Sequence, residues 1–354
     1  MYNKEECSCI SVVIATFNSS SILPRTLDAL VNQNYSRDKM EILVVDGGST
    51  DNTIEIAKNY GCVIIHNPKT EPVHAKILGI QNAHGKYMMV LDHDEVLVNR
   101  DSVRKRIELL EKNPACKVAF CSGYQRPDDY PLLNEYISEY GDPFSLFVYN
   151  FSKGVGFQEK GLRRICRVID SDADYVKVSF EKTKRLPIIE LCCLATIVDL
   201  EWFKENVDIE NCPQDMAHMF YIMLEKGYHE TIMLKNDPLV HYSADSLKAY
   251  FPKLKWRIKN NVHFADKGEN GFNGRQQYVE YTKYKKLMFV PYTIVFPLPV
   301  LHSLYLAVTR RNPVFLLHTF FCWYVLIQIV VEYAKKLTGH TPQFTSYDGK
   351  KVVK

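Results

Sequence analysis

Residues 87–95 read Tyr87-Met88-Met89-Val90-Leu91-Asp92-His93-Asp94-Glu95, and this stretch decides the fold. The apolar run Tyr87–Leu91 has the character of a strand buried on both faces, as strands are inside a parallel sheet covered by helices. It then breaks into three acids within four residues. Ligands of open α/β sheets bind just beyond the carboxyl ends of the strands, which puts Asp92 and Asp94 at the lip of a binding crevice. Carboxylates this close repel each other. A divalent cation would relieve the repulsion, because Mg²⁺ and Mn²⁺ prefer carboxylate oxygens and bridge to phosphate. A bare Asp-x-Asp reads more simply as a solvated acidic loop; the chain before it changes that reading.

Upstream, Cys9–Thr16 reads as a first strand. A helix follows the Ser19-Ser20-Ser21 cap, with Ile22, Leu23, Leu27, Leu30 and Val31 on one face. Met40–Val45 is a second strand, running into Asp46-Gly47-Gly48-Ser49-Thr50-Asp51, where the glycines permit a tight turn and a hydroxyl or Asp51 caps the next helix. Cys62–His66 is a third strand. Val73–Ala83 is a helix with Ala75, Ile77, Ile80 and Ala83 inward. Alternation of strand and helix at these separations specifies βαβ units, hence an α/β architecture with a mostly parallel sheet and right-handed crossovers.

Three segments together resemble family 2 glycosyltransferases: Ser11-Val12-Val13-Ile14-Ala15-Thr16-Phe17-Asn18, Val44-Val45-Asp46-Gly47-Gly48-Ser49-Thr50-Asp51-Asn52-Thr53, and Ala83-His84-Gly85-Lys86-Tyr87 leading to Leu91-Asp92-His93-Asp94. The likeness is to membrane-attached bacterial and archaeal transferases of glycan assembly. It implies the Rossmann-like GT-A fold and an inverting transferase that uses a nucleotide-sugar and a divalent metal, Mg²⁺ or Mn²⁺. It further implies that Ala15, Thr16 and Phe17 at the first strand end and Asp46 at the second hold the nucleoside, and that Asp92 and Asp94 hold metal and ribose. Asp46 can also accept hydrogen bonds from a base or a ribose, or simply brace its turn. Lys76 stands where the family commonly has an arginine and would meet the diphosphate as a point charge. The family's second acid after Asp46 is here Gly47, and the usual asparagine after the basic position is Leu78.

A helix from Asp101 through Leu110 and a strand at Lys117–Cys121 close this half. Residues 125–185 are rich in aromatics and charges and yield no site residue. Their basic cluster Lys160, Arg163, Arg164 and Arg167 reads as a solvated helix face. Leu186–Leu200 returns to the sheet. Asn211-Cys212-Pro213-Gln214-Asp215 then resembles the family's Glu-Asp signature at a helix start, with Gln214 in place of Glu; the resemblance leaves Asp215 as the catalytic base, and its plainer reading is a helix-start residue. His241, closing Pro238-Leu239-Val240-His241, resembles a strand-end histidine that serves some members as a further metal ligand, and a lone histidine reads equally as a satisfied structural residue.

The sequence divides into a catalytic domain over 1–245 (nucleotide-sugar half to about 122, acceptor half 123–245), a basic amphipathic segment over 246–286, two apolar segments over 287–336 and a polar tail, 337–354. Leu287–Val308 and Val314–Val331 have membrane-spanning length. Pro291, Pro297 and Pro299 oppose a straight first helix. Arg310 and Arg311, between the segments, oppose a far-side turn. A spanning and a re-entrant hairpin both remain open. The 354 residues carry a net charge of +3, which gives no support to nucleic-acid binding. Ten cysteines without a CxxC pair fit a reducing compartment, and Met1–Cys9 has no apolar leader pattern. The expected protein is an enzyme at the cytosolic membrane face that transfers sugar to a polyprenyl-linked or glycan acceptor. A polyprenyl-phosphate sugar synthase and a catalytically silent nucleotide-sugar-binding scaffold are the alternatives.

Overall fold

The structure is a computed structural model that describes residues 9–187, 193–213, 215–264, 275–340, 342–343 and 345. Gln214, Cys192 and most of the polar tail lie outside the described residues. The first half alternates β1 (Ile10–Thr16), α1 (Leu23–Val31), β2 (Met40–Asp46), α2 (Thr53–Asn59), β3 (Val63–His66), α3 (Pro72–Gln81) and β4 (Tyr87–Asp92). There follow β5 (Glu95–Leu97), α4 (Ser102–Lys112), β6 (Val118–Phe120) and β7 (Gly123–Gln125). Residues 125–185, which yielded no site residue in the sequence, form α5 (Leu133–Tyr140), α6 (Pro143–Tyr149), α7 (Gln158–Ile165), β8 (Arg167–Ser171) and β9 (Tyr175–Ser179). Then come β10 (Ile197–Asp199), α8 (Leu200–Asn206), α9 (Asp215–Glu225), β11 (Glu230–Leu234), β12 (Pro238–His241) and α10 (Leu247–His263). The chain closes with α11 (Tyr281–Lys285), α12 (Phe289–Ile294), α13 (Pro297–Arg310) and α14 (His318–Leu337).

Nine strands form the main sheet in the order β3-β2-β1-β4-β10-β6-β11-β9-β8. The β3-β2-β1-β4 half is parallel throughout, as the βαβ reading requires. Beyond β4 the sheet becomes mixed, because β10 and β9 run against their neighbours. Every residue of β1 and all of Tyr87–Leu91 are buried, so the unbroken apolar runs reflect helices on both faces. Gly79 lets α3 close on the sheet, since a Cβ there would sit 2.2 Å from Val13 Cγ1. The serine cap expected for α1 does not form: Ser19 receives the first helical N–H groups on its backbone carbonyl, and its hydroxyl bonds Phe17. The basic cluster 160–167 is exposed, with Arg163 paired to Glu159 one helical turn away, as a solvated face would be.

A smaller sheet, β5-β12-β7, lies beside the first, with β12 antiparallel to β5 and parallel to β7. A second apolar core joins α5 and α6 to the C-terminal helices, through Tyr136, Ile137, Leu146, Tyr250, Phe289 and Phe321. It crosses the boundary expected at residue 245. The first apolar segment is broken where its prolines fall: Tyr281–Ile294 and Pro297–Arg310 are bent by 97°. Pro313–Leu337 is continuous, and with 25 residues and a mean hydropathy of 2.1 it is long and apolar enough to cross a membrane.

Candidate active site at the carboxyl edge of the sheet

Register brings three strand ends to one line: Ala15 pairs with Asp92, and Thr16 with Asp46. Asp46 is buried. Its carboxylate accepts the Thr16 hydroxyl at 3.1 Å, the Gly48 and Ser49 amides at 2.9 and 2.8 Å, and the Ser49 hydroxyl at 2.5 Å. Four donors fill the lone-pair sites of one carboxylate. Asp46 therefore braces the turn, and Gly48, at φ +89°, supplies the left-handed residue that the turn demands. Phe17 flanks the same turn, 3.4 Å from where a Cβ on Gly47 would stand.

At the end of β4, Asp92 Oδ1 lies 2.6 Å from Lys76 Nζ, which reaches across from the first half of α3. The lysine side chain is 8% exposed and the aspartate 40%. Burial acts to raise the Asp92 carboxyl, but Lys76, with His93 and His241 adding to its pull, holds the group below the ordinary carboxylate range. The third acid, Glu95, is buried and accepts the Asp92 amide at 3.1 Å and the Tyr124 hydroxyl at 2.7 Å. Burial and the neighbouring Asp92 push Glu95 well above the usual value, which favours its neutral form.

The small sheet sets His241 opposite Glu95, and His241 Nε2 stands 3.8 Å from Asp94 Oδ2. Its other ring nitrogen is 3.3 Å from the Ser138 hydroxyl, its carbonyl accepts Asn134 Nδ2 at 3.1 Å, and its ring packs on Tyr124. Burial lowers the imidazole against the pull of Asp94 and Asp92, leaving it neutral, as a metal ligand must be. Lys253 of α10 lies within electrostatic reach of both acids.

Among the described residues no group of three or more His, Cys, Asp or Glu is arranged to hold a metal. Asp94 and His241 face each other, whereas Asp92 is turned to Lys76. A carboxylate and a neutral imidazole fit Mn²⁺ or Mg²⁺ chemically. Together they would supply part of a shell that substrate phosphates complete.

Asp215 opens α9. Because β11, which follows, runs parallel to β6 and with β4, this helix starts toward the carboxyl edge. Burial raises the Asp215 carboxyl, His218 Nδ1 at 3.9 Å opposes the rise, and Asp208 adds to it. Sequence reasoning passed over Glu95, visible as the third acid of the run. It also passed over Tyr124, Asn134 and Ser138, which carry no sequence signal, since only strand pairing and the position of α5 bring them to His241.

Residues 11–164 match the family model described as glycosyl transferase family 2. A 110-residue segment is 31% identical to the dolichyl N-acetyl-alpha-D-glucosaminyl phosphate 3-beta-D-2,3-diacetamido-2,3-dideoxy-beta-D-glucuronosyltransferase of Methanococcus voltae, over 29% of this chain and 34% of that protein. Another, of 91 residues, is 32% identical to the glycosyltransferase AglE of Haloferax volcanii, over 24% of this chain and 30% of that protein. The chain thus spans about a third of the length of these curated relatives. A mannosyltransferase from Pyrobaculum calidifontis, solved with GDP-Man and Mn²⁺, shares the fold with a TM-score of 0.53 and 14% identity, over 93% of this chain and 89% of that one. The fold is GT-A, and residues 11–164 are similar to the glycosyl transferase family 2 domain.

Proposed function

We propose that this protein moves a sugar from a nucleoside-diphosphate sugar to a lipid-linked or glycan acceptor at the cytosolic face of a membrane, with inversion at the anomeric carbon. The observation that carries the reading is the convergence of Lys76, Asp92, Asp94 and His241 on one strand edge of a family 2 domain. The Methanococcus voltae relative, whose name places a dolichyl-phosphate sugar among its substrates, and the apolar C-terminal helices both favour a lipid-linked acceptor.

In this reading the end of β1 (Ala15, Thr16, Phe17) and the turn braced by Asp46 shape the nucleoside end. Lys76 and the Asp92 side receive the diphosphate. Asp94 and His241, with Asp92 when it parts from Lys76, would hold Mn²⁺ or Mg²⁺, which supplies a counter-charge to the leaving diphosphate. Asp215 takes the proton of the acceptor hydroxyl while that oxygen bonds to the anomeric carbon and the bond to the diphosphate breaks, its electron pair leaving on the nucleotide. A carboxyl raised by burial is a stronger base than an exposed one.

The test is a panel of nucleotide-sugars assayed for slow hydrolysis with purified protein, in metal and in chelator. Release of nucleoside diphosphate from one donor, dependent on metal and lost in Asp94→Ala, is expected. Equal nucleotide affinity in metal and chelator, with no turnover of any donor, would refute the reading.

A further inference from the structure

We propose that the C-terminal helices α11–α14 form a platform that lies in the plane of one membrane leaflet, and that neither apolar segment crosses the bilayer. This rests on the membrane attachment proposed above and specifies its geometry.

The turn between the two segments is docked on the catalytic domain. Arg310 Nε lies 2.6 Å from Glu139 Oε1, with side chains only 13% and 2% exposed. The guanidinium also sits 3.7 Å from the Phe157 ring centre, and Asn312 Nδ2 donates to Glu135 Oε2 at 2.9 Å. A hairpin crossing the bilayer would carry this turn to the far side, about 30 Å from its partners.

The continuous segment fails as a lone span for a different reason. α14 runs parallel to α10 along its length, from Tyr250 against Phe321 and Phe251 against Tyr324 to His263 with Glu332 and Lys336 on the Val262 carbonyl. α10 carries Lys248, Lys253, Lys255, Arg257 and Lys259. A spanning α14 would take these cations into hydrocarbon, at about 2.5–3.5 kcal/mol for each near the centre.

The platform's outer face is nevertheless apolar. Phe296, Leu301, Leu304, Val308, Ile327 and Val330 are each 49–75% exposed. Between Glu280 and Glu332 the chain has no Asp or Glu, but besides the Arg310 that is paired to Glu139 it has Lys283, Lys285, Lys286 and Arg311. Apolar surface edged by cations without anions matches an anionic lipid surface and repels a second copy of itself. α5 ties this platform to the crevice: Asn134 and Ser138 hold His241, while Glu135, Tyr136 and Glu139 hold Asn312, His318 and Arg310.

The full chain is added to preformed vesicles of phosphatidylcholine with phosphatidylglycerol and floated. Arg311→Cys and His340→Cys, in the turn and just past α14, are labelled from outside with an impermeant maleimide and identified by peptide mass. Flotation is expected, with both positions labelled within about twofold of their extent in detergent. Protection of the Arg311→Cys thiol alone would establish a spanning hairpin, and protection of the His340→Cys thiol alone a single span; either overturns the platform and leaves membrane attachment intact. No flotation, or a soluble self-paired protein that ignores vesicles, refutes both. A Leu301→Asp, Val308→Asp variant, altered only at exposed positions, is expected to keep its melting temperature and lose flotation at least tenfold. Unchanged flotation would overturn the platform.

Discussion

Removing the Lys76 charge is predicted to move two affinities in opposite directions. Lys76 Nζ lies 2.6 Å from Asp92 Oδ1, so a metal binding that carboxylate competes with the lysine for it. An ion pair at an effective dielectric constant near 20 is worth about 4 kcal/mol at ~4 Å. Solvent at the 40% exposed aspartate draws that toward the ~0.2–1 kcal/mol of surface pairs. A net of about 1–2 kcal/mol follows, a factor of roughly 5–30. In Lys76→Met, Mn²⁺ alone should therefore bind about 5–30-fold more tightly. The nucleoside diphosphate, measured at saturating Mn²⁺, should lose a charged hydrogen bond of about 1.5–3 kcal/mol and bind roughly 10–100-fold more weakly. Isothermal titration of wild type, Lys76→Met and Lys76→Arg, with melting temperatures as the folding control, makes the comparison. Both affinities falling together, or neither moving, would show that Lys76 only supports the fold and would refute its placement on the diphosphate.

Three further predictions follow from other parts of the molecule. Asp215→Asn should keep donor affinity and lose about 10²–10⁴ in transfer rate. Because burial raises the Asp215 carboxyl, the wild-type rate should fall with decreasing pH through a limb above the ordinary aspartate value; near-normal transfer by the variant with the limb intact would make Asp215 a helix-start residue only. Arg310→Ala strands a buried carboxylate and should destabilise the protein by about 3–5 kcal/mol, with much of that recovered in Arg310→Met, Glu139→Gln; a loss below about 1 kcal/mol on unfolding in detergent would contradict a buried pair. Ser138→Ala frees one side of the His241 ring and should weaken metal-dependent nucleotide binding by about 10–100-fold with little change in melting temperature, whereas unchanged binding would argue against His241 as a ligand.

The N-terminal half was legible from residue order because its structure is local. Tyr87–Leu91 is apolar throughout since helices cover both faces of β4, and each βαβ step is short enough for pattern and turn chemistry to define it. That sufficed for the parallel half of the sheet, for the edge where Thr16, Asp46 and Asp92 align, and for the break at Pro291–Pro299. The remainder depended on contacts between residues far apart in the chain. Asp92 faces Lys76, Glu95 is buried under Tyr124, and His241 reaches Asp94 only because β12 inserts between β5 and β7. Residues 133–140 carried no site signal, yet α5 holds His241 with Asn134 and Ser138, and Arg310 with Glu139. Apolarity by itself could not distinguish a helix that crosses a bilayer from one that lies on it. That distinction rests on what the opposite face touches, and for α14 it touches a helix carrying five cations, Lys248, Lys253, Lys255, Arg257 and Lys259.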